Sequence, residues 1–144
     1  MNNDIDFCTL SNYELAEQVV AMIEDLEDES TSQNVTLASI MRQVDDGLTI
    51  IERDHDAIAI IHPEGYRAIN GNAVLWLLVV KRASRGKRIG RAFVRHLVAR
   101  HAKSMPMVLV CNGSRRESFF ANCGFRIKEY LDDGSAVMVS DEPQ

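Results

Sequence analysis

The chain has 144 residues, 46% hydrophobic and 26% charged, the balance of one globular domain spanning 1–144 and not of a disordered chain. No run approaches the roughly 20 apolar residues of a membrane helix, and the start, Met1-Asn2-Asn3-Asp4, lacks the basic and apolar regions of a signal peptide, which points to the cytoplasm. The net charge of −5 hides an asymmetry: residues 1–80 hold 15 acids and 3 bases, residues 81–103 hold 9 bases and no acid, and residues 104–144 sum to −2. A basic block inside an acidic chain suits a local anionic ligand and argues against wholesale nucleic-acid binding.

In chain order, Ser11-Asn12-Tyr13-Glu14 reads as a capping box, followed by Leu15, Val19, Met22, Ile23 and Leu26 at helical spacing. The spacing predicts a helix over 12–28. A second helix is expected over 37–46, its stripe Leu37, Ile40, Met41 and Val44, with Gly47 as its C-terminal cap. Residues 48–53 and 57–62 read as strands around the turn Asp54-His55-Asp56. Pro63-Glu64-Gly65 and Asn70-Gly71-Asn72 punctuate the connection to residues 73–80, an apolar run expected of a buried strand. A helix follows from 90 to about 103, then a strand over 107–111, a short helix over 114–122 and a final pair of strands from 124 to 140. The order α α β β β α β α β β implies a mixed α/β (α+β) fold. Its sheet is mostly antiparallel, with a central parallel pair built from 73–80 and 107–111 and about four flanking helices.

The most informative segment is Val80-Lys81-Arg82-Ala83-Ser84-Arg85-Gly86-Lys87-Arg88-Ile89-Gly90, which leaves a buried strand, passes two glycines and starts a helix. A helix N-terminus offers free N–H groups to a phosphate, glycines let the backbone approach it closely, and cations at 85, 87, 88 and 91 add attraction. The segment is neither a Walker A loop nor a Rossmann glycine motif. It resembles the acetyl-CoA motif of the GNAT N-acetyltransferase superfamily, Arg/Gln-x-x-Gly-x-Gly/Ala, approximated here by Arg85-Gly86-Lys87-Arg88-Ile89-Gly90. Arg88 stands where that family has its middle glycine. A second stretch, Val110 to Phe125, is similar to the family's strand, Asn-containing turn and helix ending in Tyr-x-x-x-Gly-Phe; here it reads Phe119-Phe120-x-x-x-Gly124-Phe125.

The resemblance implies an acetyl-CoA-dependent transferase acting on a primary amine of a small molecule or peptide. It implies that N–H groups of Arg85, Gly86, Lys87, Arg88, Ile89, Gly90 and Arg91 cradle the pyrophosphate. Backbone groups along Leu78, Val79 and Val80 would hold pantetheine and the thioester carbonyl, while Asn112, Ser114, Phe119 and Phe120 flank the cofactor. No metal is implied, and the cysteines Cys8, Cys111 and Cys123 are too scattered for a Cys-x-x-Cys site or a disulfide framework. Membrane and nucleic acid are not expected as partners, and a homodimer stays open.

The catalytic groups are unassigned. Phe120 occupies the usual tyrosine position and cannot donate a proton, and Trp76 lies where some relatives place a glutamate. Substitutes are Cys111, otherwise a small buried hydrophobe, and the hairpin group His62, Glu64 and Tyr66, otherwise ordinary surface residues. His96 and His101 read as structural. Positioned acid–base groups are worth about 10²–10⁴-fold, and holding thioester and amine together contributes more, so direct transfer can proceed without a strong protein acid. The alternative is an acyl-CoA-binding sensor domain with little or no catalysis. The acids between Glu24 and Glu29 read as a solvated face or as an attractor for a cationic acceptor.

Overall fold

The first helix starts where its capping box places it. Glu14 donates its N–H to Ser11 Oγ at 3.2 Å, and Ser11 returns its own N–H to Glu14 Oε1 at 2.9 Å, so two donors left open by the helix start are satisfied reciprocally. The computed structural model describes residues 6–24, 37–45, 47–66, 69–81, 88–102 and 105–140. Helix α1 spans Asn12–Glu24 and α2 spans Leu37–Asp45. The expected continuation of α1 to residue 28, the acids from Asp25 to Glu29, and Asp46 lie outside the described residues.

Strand β1 covers Ile50–Arg53, β2 Ala57–His62, β5 Val74–Val80, β6 Val108–Cys111, β7 Phe125–Tyr130 and β8 Ala136–Ser140; two-residue strands β3 (Gly65–Tyr66) and β4 (Ile69–Asn70) form a separate hairpin. Helix α3 spans Ile89–His101 and α4 spans Ser114–Asn122. The six longer strands make one sheet in the order β1-β2-β5-β6-β8-β7, antiparallel throughout except for the central parallel pair β5–β6. The fold is therefore the mixed α/β arrangement expected, with four α-helices among the described residues.

Two details differ from the sequence reading. The first strand begins at Ile50 and not at Leu48, because the Thr49 hydroxyl donates to the Gln43 carbonyl at 2.6 Å, tying that segment to the end of α2. The β3–β4 hairpin is added where a plain connection was expected; strands of two residues are too short to show a period, and Gly65 turns the chain with φ 114°.

Each face of the sheet carries its own core. Ala57, Ala59 and Ile61 of β2 pack with Phe93, Val94 and Leu97 of α3 and Phe120 of α4. The alternate residues Ile58 and Ile60 pack with Phe7, with Leu15 and Val19 of α1, and with Ile40 of α2. This is the two-period of a strand with both faces covered. No helix among the described residues is long and apolar enough to cross a membrane.

Candidate functional site

The central strand changes phase partway along. Ile60 of β2 faces Leu77 and Ile61 faces Leu75, so Trp76 is an extra residue in β5, a β-bulge. Before it, Ala73 and Leu75 lie on the face covered by α3 and α4; after it, Leu78 and Val80 do. Trp76, Leu77 and Val79 pack on the α1–α2 side.

The bulge coincides with the end of the parallel pairing. β5 and β6 pair at Val74–Val108 and Leu75–Leu109 and no further, although β5 runs on to Val80 alongside β2. The two strands splay, and a gap opens beyond Leu75. Lys81 donates its N–H to the Asp56 carbonyl at 2.9 Å, so position 81 faces β2. By alternation Val79 and Leu77 face it too, and the peptide groups of Leu78 and Val80 turn toward the gap. The splay also explains why Trp76, Leu77, Leu78 and Val80 are only half-buried in a run whose composition predicts full burial.

Two helices begin at the mouth of this gap, one after each splayed strand. α3 has Arg88 at its N-cap and α4 has Gly113, and neither cap makes a side-chain hydrogen bond to its helix. Their first N–H groups thus point out of the helix with the positive end of its dipole. In open α/β sheets, ligands bind outside the carboxyl ends of parallel strands where the chain diverges. Cationic Arg88, Arg91, Arg115 and Arg116 lie in the first turns or at the caps, and Arg116 donates to the Asn112 carbonyl at 2.9 Å. Residues 82–87, including Arg85, Gly86 and Lys87, lie outside the described residues.

Arg88 has φ 64° and ψ 9°, the left-handed region, and is the one non-glycine residue with positive φ among those described. The backbone therefore keeps a conformation suited to glycine while the side chain is arginine and exposed. Gly90, two residues on, is buried. A Cβ placed there would meet Val80 Cγ2 and Phe119 Cζ at 3.2 Å each, so the glycine lets α3, the end of β5 and α4 converge. That contact joins the two motifs.

Phe119 and Phe120 stack edge-on with centroids 5.0 Å apart, and Phe120 meets Phe125 in the same way at 5.8 Å. Phe120 is buried, its ring part of the core beneath α4. Cys111 is also in that core, with its Sγ 3.8 Å from Met138 Sδ, and burial pushes its thiol above the ordinary value. Asn112 and Ser114 are exposed at the gap's mouth.

His62 is buried and stacks on Tyr66 with centroids 4.3 Å apart, while Glu64 is exposed. Because His62 pairs with Val74, this group sits at the closed end of the splay, about 13 Å of strand from Leu78. Nothing in the sequence singled out Tyr130, whose hydroxyl donates to Glu117 Oε1 of α4 at 3.0 Å; that bond, before burial, holds its pKa up. Tyr130 lies on β7, two strands beyond β6, roughly 10 Å from that strand on the side away from the gap. It latches α4 to the sheet.

No protein-family model matches the chain, and no curated protein does. Solved structures do match. An acetyltransferase from Thermus thermophilus is similar over 89% of this chain and 89% of its own, with 17% identity and a TM-score of 0.68. An acetyltransferase of the GNAT family from Listeria monocytogenes is similar over 93% and 92%, with 15% identity and a TM-score of 0.63. The microcin C7 self-immunity acetyltransferase MccE, in complex with acetyl-CoA and AMP, is similar over 91% and 88%, with 14% identity and a TM-score of 0.59. Identities this low carry the fold alone.

Proposed function

From the GNAT fold of this chain, we propose that residues 1–144 form a single-domain, acetyl-CoA-dependent N-acetyltransferase acting on a primary amine of a small molecule or peptide. The observation that carries this reading is the splay of β5 from β6 at the Trp76 bulge, with two helix N-termini that lack side-chain caps at its mouth.

The residues fit the cosubstrate. A pantetheine arm is a chain of amides, and the gap-facing peptide groups of Leu78 and Val80 can pair with it as a strand would. The N–H groups of Ile89, Gly90 and Arg91, with Arg85, Gly86, Lys87 and Arg88, suit the pyrophosphate. Asn112 and Ser114 border the arm on the opposite wall, with Phe119 packed behind Gly90. When bound, acetyl-CoA supplies an acetyl group activated for attack by a neutral amine. The N–H of Leu78 would then donate to the carbonyl oxygen as its charge grows, a contribution that a fixed dipole makes without reorganisation.

Acid–base help from the protein is sparse. Phe120 has no proton, the Cys111 thiol is buried, and the His62–Tyr66 pair lies away from the gap. Solvent or the bound amine then handles the proton, and positioning carries the rate. The same scarcity favours a second reading, an acyl-CoA-binding sensor domain. Calorimetry with acetyl-CoA, followed by CoA-release assays against polyamines, amino acids, aminoglycosides and peptides, separates the two. Binding with release on one amine class supports the transferase; binding with no turnover supports the sensor; no binding at millimolar acetyl-CoA refutes both.

A further inference from the structure

A second cluster of chemically active side chains lies away from the gap, where the N-terminal segment meets the β1–β2 turn. Asp6, Cys8 and His55 each offer one ligand atom, and these atoms lie within 4.8 Å of one another. We propose that these three residues form a binding site for a borderline-soft divalent cation, zinc in particular, tying the N-terminal segment to the β1–β2 turn.

The donor set is that of zinc: one thiolate, one imidazole and one carboxylate, which leave a fourth tetrahedral position for water. Zinc–sulfur bonds of about 2.3 Å and zinc–nitrogen or –oxygen bonds of about 2.0 Å set neighbouring ligands roughly 3.3–3.6 Å apart. The cluster needs adjustments on the order of an ångström to reach this. Asp6 Oδ2 and His55 Nδ1, now 2.7 Å apart, open slightly to admit the ion. On binding, the thiol proton passes to solvent, the Nδ1 proton that now bridges to Asp6 is given up, and the imidazole coordinates through Nδ1 with its remaining proton on Nε2.

The ligands sit on a backbone already held in place. A 3-10 turn, Phe7–Thr9, is capped by Asp6, whose Oδ1 accepts the Cys8 N–H at 2.8 Å and leaves Oδ2 for the metal. Phe7 is fully buried in the core, and its N–H reaches the His55 carbonyl at 3.3 Å. The Arg53 guanidinium donates to the carbonyls of Phe7 and Leu10 at 3.3 and 2.7 Å and to Asn12 Oδ1 at 2.6 Å. Ligands fixed by their surroundings lose little entropy on binding. Asp54 and Asp56 flank His55 in sequence, adding negative charge that favours a cation, while Cys8 and His55 are exposed and open to it. The site lies close to the gap's rim: Asp56 pairs with Lys81 Nζ at 3.6 Å and accepts the Lys81 N–H.

The test uses the tag-free full chain, treated with a chelator and then titrated with Co(II). One equivalent should give tetrahedral d–d bands and a thiolate-to-cobalt charge-transfer band. C8S should abolish the charge-transfer band, and H55Q should weaken binding by about tenfold or more. Zinc should displace the cobalt and slow alkylation of Cys8, read against C8S because Cys111 and Cys123 are buried. A wild-type spectrum without the thiolate band, the same band in C8S, unchanged affinity in H55Q, or alkylation indifferent to saturating zinc would each overturn the site.

Discussion

Replacing Arg88 with glycine should stabilise the protein and weaken its hold on acetyl-CoA. At φ 64° the arginine backbone sits in the left-handed region, which costs a residue with a Cβ about 1–2 kcal/mol. Glycine removes that cost but gives about 0.4–1 kcal/mol back through a more flexible unfolded chain. As an N-cap it is otherwise a better residue than arginine. The net gain is about 1 kcal/mol, or about 3 °C in Tm for a chain of this size. Arg88→Ala is the control, since alanine keeps the strain and loses the guanidinium. Thermal denaturation should rank glycine above alanine by about 1 kcal/mol. Calorimetry should show both variants binding acetyl-CoA more weakly than wild type and to a similar extent, with the deficit shrinking as salt is raised. If R88G is less stable than R88A, the strain argument fails. If both bind as tightly as wild type, the arginine does not contribute to the anion site.

Four further outcomes follow from the geometry. Gly90→Val should weaken acetyl-CoA binding while the protein still folds, because its Cβ presses on Val80 and Phe119 at 3.2 Å; unchanged affinity counts against placing the pyrophosphate at α3. His101→Ala should cost about 2 kcal/mol in denaturant unfolding, because His101 Nε2 and Glu52 Oε2 meet at 2.5 Å in a largely buried contact that pins the end of α3 to β1; no loss would show the pair to be idle. Glu14 is held below its ordinary 4.5 by the Ser11 N–H and hydroxyl, so its contribution is present above that value and lost as pH falls through the lower folded pKa. The gap in Tm between wild type and Glu14→Ala should accordingly be open at neutral pH and closed in strong acid. Phe120→Tyr should hold or raise turnover if the ring lacks only a proton; a large fall would mean that its edge-on packing with Phe119 and Phe125 cannot take a hydroxyl.

How much the sequence disclosed depended on whether a signal was local. The α1 start was readable because Ser11 and Glu14 satisfy each other's N–H groups within four residues. The element order was readable because apolar spacing reports which face is buried. The Asp6, Cys8 and His55 cluster was not: Asp6 and Cys8 meet His55 only through folding, and a separation of 49 positions between Asp6 and His55 has no motif. Tyr130 and Glu117 are joined in the same nonlocal way.

The Trp76 bulge was invisible for a different reason. A bulge reveals itself in sequence as a break in alternation, and Ala73 to Val80 is apolar at every position, so both phases read alike. Yet that bulge decides both the core and the gap. Were Trp76 to take its place in regular alternation, Leu77 and Val79 would lie over α3 and Val80 would turn to the α1–α2 face. With the bulge, Val80 swings onto the α3 face, close enough that a Cβ at Gly90 would press on it at 3.2 Å, while the peptide groups of Leu78 and Val80 turn to the splay. The glycine that the sequence reading assigned to phosphate contact thus has a packing reason as well. Deleting Trp76 should straighten β5 and weaken acetyl-CoA binding, while Leu78 and Val80, still alternating onto the α3 face, keep the contact at Gly90. If the deletion binds acetyl-CoA with wild-type affinity, the bulge does not build the site.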